Sequence, residues 1–96
     1  MKVEIFNDNK NHYHIYGEGI HELQSYNSIV ARISSKTCDP VIVLGRYWDY
    51  SRTTLRFVYK FLEQFTDINF GERKDKKKYI NELISKNIIH YDENME

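Results

Sequence analysis

The stretch "YWDYSRTT", residues 47–54, combines side chains that can bind an anion. The hydroxyls of Ser51, Thr53 and Thr54 can each donate a hydrogen bond to a phosphate or a carboxylate. The guanidinium of Arg52 can add a charge-assisted contact, and free backbone amides at the start of a helix would point at the same ligand. The octet is therefore a candidate anion-binding site.

A second interpretation of the same residues is structural. Ser51 stands where a helix N-cap belongs, and its hydroxyl can accept a hydrogen bond from the amide of Thr53 or Thr54. Asp49 adds negative charge near the positive end of that helix. Because every helix needs partners for its first amides, we favour capping and keep the anion site as the alternative.

The helix that follows carries a row of cations. Arg52, Arg56 and Lys60 recur at every fourth position and share one polar stripe, here called the basic stripe. Like charges at this spacing cost a helix about 0.2–0.5 kcal/mol per pair. The stripe is either a solvated face or a docking ridge for an acidic partner. Trp48 and Tyr50 precede it on alternate sides of the chain; we expect at least one in the core, and we predict partner binding by the stripe with these rings.

A second group of cations follows in the run "RKDKKK" at residues 73–78. Its lysines would occupy the first turn of a helix, where the dipole disfavours cations by about 0.3–1 kcal/mol each, with only Asp75 as a matching cap. Either that helix begins later or the lysines face something negative. We predict a basic loop made of Arg73, Lys74, Lys76, Lys77 and Lys78.

Histidine and cysteine offer weaker signals. His12 and His14 point to the same face of a predicted strand, and His21 is expected to lie near them. A metal site requires three or four convergent ligands, and the spacing supplies no complete set, so no metal or other cofactor is predicted. Cys38 lies in a turn with no histidine placed to activate it. Without a nucleophile, base and electrophile that can be assembled, we predict no catalysis.

The first half of the chain has the composition of β-strands. Gly17 and Gly19 mark a turn. Ile29, Ala31 and Ile33 are expected on one covered face of their strand. The predicted strands are "KVEIFN", "HYHIYG", "SIVARIS" and a buried "VIVLG", with residues 41–47 placed near the middle of the sheet. The stretch "IIHY" at 88–91 is a candidate for a closing edge strand.

The second half changes to a helical period. Apolar residues recur three and four positions apart over residues 52–66, which predicts a helix. A second helix is predicted at about 75–86, with Asn87 as its left-handed stop. The first helix is expected to pack its apolar face on "VIVLG" through Leu55, Val58, Leu62 and Phe65.

These elements predict an α+β fold: a mainly antiparallel sheet of three to four strands with two helices on one face. With 96 residues, the chain is the size of one domain, predicted over 1–91, with 92–96 as an acidic tail. A lone cysteine, no apolar run long enough for a bilayer and no leader pattern predict a cytoplasmic protein. The formal net charge is zero, but residues 52–78 carry +4 and the remainder −4.

The stretches "LQSYNSIVARI" and "YWDYSRTTLRFVYKFL" resemble an uncharacterised family of small proteins encoded by phages and plasmids of Gram-positive bacteria. The resemblance covers about residues 23–65, through a "SYN" before a strand ending in "VA" and through the start of the aromatic helix. It implies no established activity. By association, it suggests an inhibitor of host defence, including the anti-CRISPR type, or a small regulator.

Two functions follow as hypotheses. In the first, the protein docks through the basic stripe on a host protein or nucleoprotein complex and blocks it. In the second, the same stripe binds nucleic acid directly, with Tyr50 or Trp48 stacking on bases. The overall neutrality weakens the second, because affinity for nucleic acid comes mostly from phosphate contacts. If the stripe is only a solvated face, the site is expected in the acidic half, around Glu18, Glu22 and Tyr26.

Overall fold

The computed structural model describes residues 2–6, 10–35 and 40–95. Cys38 and its predicted turn lie outside the described residues. The elements in chain order are β1 (Lys2–Ile5), β2 (His12–Gly17), β3 (Ile20–Ser25), β4 (Ser28–Ser34), β5 (Val41–Gly45), α1 (Arg52–Phe65), α2 (Lys76–Ser85) and β6 (Ile89–Asp92).

The six strands form one mixed sheet whose spatial order is the chain order. Strands β1 to β5 run antiparallel to their neighbours, and β6 returns after both helices to lie parallel to β5 at the edge. The α+β class and the two helices are confirmed, whereas the prediction of three to four strands was wrong. Strand β3 was missed because its apolar residues Ile20 and Leu23 are three positions apart, so they give no alternating pattern.

A β-bulge reshapes the pairing between β3 and β4. Leu23 lies opposite Ala31 and Gln24 lies opposite Ile29, so Val30 is an extra residue on β4. Val30 and Ala31 are consecutive, yet both are buried. The predicted face containing Ile29 is therefore interrupted, and Ile29 is only half-buried.

Helix α1 matches the predicted span, and Val58 and Leu62 are buried as expected, but the buried face is rotated toward Phe57 and Phe61, which were expected only to widen the apolar stripe. Leu55 and Phe65 are half-buried at the sides, while Phe57 and Phe61 lie in the core together with Val58. The helix approaches β3 and β4 most closely. "VIVLG" is the fifth of six strands rather than a central one, and its Val41 is 45% exposed. The prediction that α1 packs mainly on that strand was therefore wrong.

Helix α2 and the closing strand follow the sequence more closely. Asp75 caps α2 by accepting a hydrogen bond from the Lys78 amide at 2.9 Å. Asn87 has a φ of 60°, the left-handed stop expected after a helix. Residues 92–95 do not form a loose tail: Asp92 ends β6, and Met95 is buried with its carbonyl against Gly45. In the described part of the chain, neither helix is long and apolar enough to cross a membrane.

Candidate functional site

The octet forms the corner between β5 and α1. The Trp48 amide donates to the Gly45 carbonyl and the Tyr50 amide to the Tyr47 carbonyl, each at 3.1 Å, so the chain turns twice before the helix. Trp48 is 5% exposed and belongs to the core, which removes it from the predicted contact surface. Tyr50 is 72% exposed. The expectation that at least one of these rings lies in the core is confirmed.

Ser51 is the N-cap of α1. Its hydroxyl oxygen accepts a hydrogen bond from the Thr54 amide at 3.1 Å, and its O–H donates to Thr54 Oγ1, also at 3.1 Å. Thr54 is 1% exposed, so its amide and hydroxyl are both enclosed and engaged. Thr53 is half-buried. The capping interpretation is confirmed, and Thr54 has no free donor to offer an anion.

A buried chain of hydrogen bonds leads from this cap into the sheet. Ser25 Oγ lies 3.0 Å from Thr54 Oγ1 and 2.9 Å from His12 Nε2. Burial lowers the pKa of His12, and the nearby Arg56 lowers it further, so the neutral ring can accept from Ser25. A serine and a histidine at this distance have the reach of a nucleophile and its base. Because Ser25 is 4% exposed and shared with Thr54, we interpret the pair as a structural link.

All three residues of the basic stripe are exposed. Arg52, Arg56 and Lys60 lie along the outer side of α1, and none of them forms an ion pair with the described residues. The Arg56 guanidinium and the Lys60 ammonium lie 5.4 and 5.5 Å from the ring centre of Phe57, so their stems cover the edge of the core. Their charges still point to solvent.

The predicted basic loop divides between the loop and α2, because α2 begins at Lys76. One lysine of the run does face a negative group, as one of the two alternatives required: the Lys77 ammonium lies 3.2 Å from the Asp49 carboxylate in the octet. Arg73 covers the ring of Tyr79 at 3.9 Å, and the Lys76 ammonium lies 5.6 Å from the ring centre of Tyr59. The remaining members of the predicted basic loop, Lys74 and Lys78, are exposed. Part of the run therefore packs on aromatic rings and on one acid, while Arg73, Lys74 and Lys78 line a shallow pocket that also contains Asp75 and Glu82.

A cleft of about 520 Å³ opens beside the corner. It lies between the turn at residues 25–28 and the corner at residues 47–50, and we call it the tyrosine cleft after Tyr26, Tyr47 and Tyr50. The cleft was not predicted from the sequence, because its two halves are separated by about twenty residues and meet only when β4 and β5 pair. One signal was visible: the first half contains Tyr26, and the second contains Tyr47 and Tyr50.

The alternative site in the acidic half does not assemble. Glu18 lies in the turn before β3 and Tyr26 in the turn after it, so they are at opposite ends of a six-residue strand. Glu22 is already paired with Arg32, with a carboxylate oxygen 2.7 Å from the guanidinium. Of the three, only Tyr26 joins a candidate site, the tyrosine cleft.

One protein family matches the chain over residues 1–82, and its description is "Family of unknown function (DUF8033)". The chain belongs to this family. Comparisons with curated proteins and with solved structures give no match. In this DUF8033 protein, the matched region contains the basic stripe and the tyrosine cleft, ends within α2 and leaves β6 outside.

The DUF8033 chain also joins two histidines at the other end of β2 and β3. His14 Nδ1 lies 2.7 Å from a Glu4 carboxylate oxygen, and His14 Nε2 lies 2.8 Å from His21 Nδ1. The expected proximity of His21 is confirmed. Burial, and then the charge on His14, lower the pKa of His21, whose ring stacks on Phe65 at 4.4 Å. Within residues 2–6, 10–35 and 40–95, no three His, Cys, Asp or Glu side chains are grouped to hold a metal.

Proposed function

We propose that this protein is a non-enzymatic binding protein that docks through the basic stripe on a host complex that handles nucleic acid. The contact set is Arg52, Arg56 and Lys60, with Tyr50 beside them. Docking would modulate or inhibit the complex. The suggestion of a mobile-element origin and of a defence complex, including a CRISPR-type one, comes from the resemblance to small phage and plasmid proteins.

The observation that carries this proposal is three exposed cations in a row with no acidic partner on the described chain. Other cations of the same chain do find partners: Lys77 pairs with Asp49 and Arg32 with Glu22. A helix gains nothing from like charges at every fourth position, which cost it a few tenths of a kcal/mol (about 0.2–0.5) per pair. A partner of opposite charge would offset the repulsion among these cations and would be attracted by all three.

The charge of the stripe restricts the surface that it can meet. A groove that normally receives nucleic acid is itself basic and would repel the stripe, because like charges in contact disfavour association. The matching surface is therefore a patch of carboxylates on the host complex, or the phosphates of nucleic acid already bound there. Exposed charges of this kind mainly raise the association rate, and salt screens them over about 8–10 Å.

Direct binding to free nucleic acid is the second candidate. The observation that favours it is Tyr50, which is 72% exposed only two residues before Arg52. An exposed ring beside cations is the arrangement that single-stranded nucleic acid uses for stacking and phosphate contacts. The net charge of −4 outside residues 52–78 opposes it by repelling phosphates.

The test is a pull-down from host lysate, with and without nuclease, using the wild type and the double variant Arg52→Glu with Arg56→Glu. The matched control is Lys2→Glu with Lys86→Glu, which changes the net charge equally at two exposed lysines outside the stripe. We expect the stripe variant to fold normally, since exposed substitutions change stability by about 0.5 kcal/mol each. We expect its partner affinity to fall tenfold or more, on the order of 1.4 kcal/mol, with the control unchanged.

The nuclease arm separates contact with an acidic protein surface from contact through nucleic acid, whether that nucleic acid is free or bound on the host complex. Capture that persists after nuclease and weakens with rising salt supports docking on an acidic protein surface. Capture that nuclease abolishes supports contact through nucleic acid. If the folded stripe variant keeps wild-type affinity across a salt series, the stripe is only a solvated face and the proposal fails.

A further inference from the structure

We infer that the tyrosine cleft binds an unstacked nucleobase of single-stranded nucleic acid. The inference deepens the proposed function and rests on it, because it takes nucleic acid at the host complex as the ligand and assigns it a pocket. The basic stripe alone would hold only the sugar-phosphate backbone, whereas a pocket for a base adds a contact that double-stranded nucleic acid cannot make.

The walls of the cleft are aromatic. The rings of Tyr47 and Tyr50 stand 6.0 Å apart, nearly perpendicular at 88°, so they turn a face and an edge to each other. Tyr26 contributes a third ring from the opposite turn and is 46% exposed. Tyrosine faces stack on any base, since every base has a π-face. The volume of about 520 Å³ lies within the range of small-molecule sites, about 300–1,000 Å³.

The rim supplies groups for the edge of a base. Asn27 and Ser28 line the cleft and carry an amide and a hydroxyl, which can both donate and accept hydrogen bonds. The hydroxyls of Ser25 and Thr54 also line it, but they are bonded to each other and form its floor. A purely apolar protein side chain would leave these rim groups without partners, whereas a heterocyclic base has donors and acceptors on its edge.

Charge complementarity selects a nucleotide over other planar ligands. The Arg46 guanidinium lies 5.5 Å from the ring centre of Tyr47, at the wall of the cleft. Arg52 follows Tyr50 by two residues and begins the basic stripe. Both arginines are exposed. A base stacked on Tyr50 would place its phosphates near these cations, and the strand would continue along Arg56 and Lys60.

The backbone at Tyr26 sets where its ring stands. Residues 26 and 27 form the two-residue turn between Ser25 and Ser28, and Tyr26 has a φ of 56°. Two-residue hairpin turns require a positive φ at this position, which favours glycine over a bulky residue. The ring also stands edge-on to His12 at 5.5 Å, which fixes its position at the cleft.

The experiment measures fluorescence anisotropy of a labelled single-stranded oligonucleotide of about ten nucleotides at low ionic strength. A second probe has the same length and charge but abasic sites. We expect the wild type to bind the first probe at least tenfold more tightly than the abasic probe. Tyr26→Gly and Tyr50→Ala should each weaken binding of the first probe about tenfold, while Tyr50→Phe should keep most of it.

Two controls distinguish the effect of removing a tyrosine ring from the effect of unfolding the protein. Tyr26→Gly places glycine where the backbone favours it, so folding should be retained while the ring is removed. Tyr91→Ala removes a tyrosine that is 49% exposed on β6, outside the cleft, and should leave affinity unchanged.

Equal affinity for the intact and the abasic probe would overturn the nucleobase site, as would no binding of either probe. If the tyrosine variants instead weaken capture of a protein from nuclease-treated lysate, the cleft holds a protein side chain and the inference is wrong. Each of these results leaves the docking of the basic stripe intact, because that is measured separately with Arg52→Glu and Arg56→Glu.

Discussion

At the scale of single residues, the enclosed hydroxyl of Thr54 connects three parts of the molecule. It joins the N-cap Ser51 to Ser25, and Ser25 joins it to His12 on β2. A buried polar group without a partner costs about 1–3 kcal/mol, and among the described residues no buried side-chain N or O lacks one. The start of α1, the turn with Tyr26 and the ring of His12 are therefore fixed together.

Two histidine rings should make stability depend on pH: His12, which is buried, and His21, which is half-buried. Burial lowers the pKa of His12 and His21 from the ordinary value of 6.5, so below that pH the unfolded chain binds more protons than the folded chain. The free energy of unfolding then has its full value above about pH 7 and decreases as the pH drops below about 6.5. We expect a lower urea midpoint at about pH 5.5 than at about pH 7.5, and a smaller difference in His21→Gln.

The matched control for this prediction is His90→Gln, which replaces an exposed histidine on β6 and should keep the wild-type difference. A urea midpoint that stays constant or rises on acidification would contradict the prediction.

The roles of some residues could not be predicted from the sequence. Trp48 and Tyr50 are two positions apart in a corner without a repeating pattern, so the sequence did not determine which of the two rings lies in the core. The cleft depends on the pairing of β4 with β5, and no local signal gives that register. By contrast, the role of Ser51 as a cap follows from local chemistry alone, and it was predicted correctly.

At the scale of elements, periodicity predicted the helices better than the strands. Helix α1 has apolar residues in every turn, and α2 has a cap and a left-handed stop at the expected places. The sheet was underestimated because β3 lacks alternation, whereas the bulge at Val30 changes only which residues of the predicted strand β4 are buried. Local hydrophobic periodicity therefore indicates which segments form helices, but it does not give the number of strands in the sheet.

The rotated face of α1 gives a testable ranking of its side chains. Leu62 is fully buried, whereas Leu55 is half-buried at the side of the helix. Leu62→Ala should cost about 2–5 kcal/mol of unfolding free energy, because it removes buried methyl groups and leaves a cavity. Leu55→Ala is the matched control and should cost distinctly less. Urea unfolding measures both, and an equal loss for the two variants would restore the face that the sequence predicted.

At the scale of the whole molecule, the two edges of the sheet are unequal. All four residues of β1 are exposed at one edge. At the other edge, β6 contributes Ile89, which is fully buried, and the segment after it contributes Met95, which is 6% exposed. Among the described strands, β6 is the one that follows both helices, and it pairs parallel to β5. Residues 89–95 therefore contribute buried side chains to the folded domain, although residues 92–96 were predicted from composition to form an acidic tail.

This asymmetry predicts opposite outcomes for two short truncations. A chain that ends at Asn87 loses Ile89 and Met95, each of which contributes about 1.5–3 kcal/mol on burial, and it uncovers the side of β5. Because a domain has only about 5–15 kcal/mol in total, we expect it to lose cooperative unfolding. A chain that begins at Phe6 loses the exposed β1 and the Glu4 partner of His14, but it keeps Phe6 and the other buried apolar side chains, so it should still unfold cooperatively. Fluorescence of Trp48, the single tryptophan, follows both in urea. A cooperative transition in the first chain and none in the second would reverse the assignment of the edges.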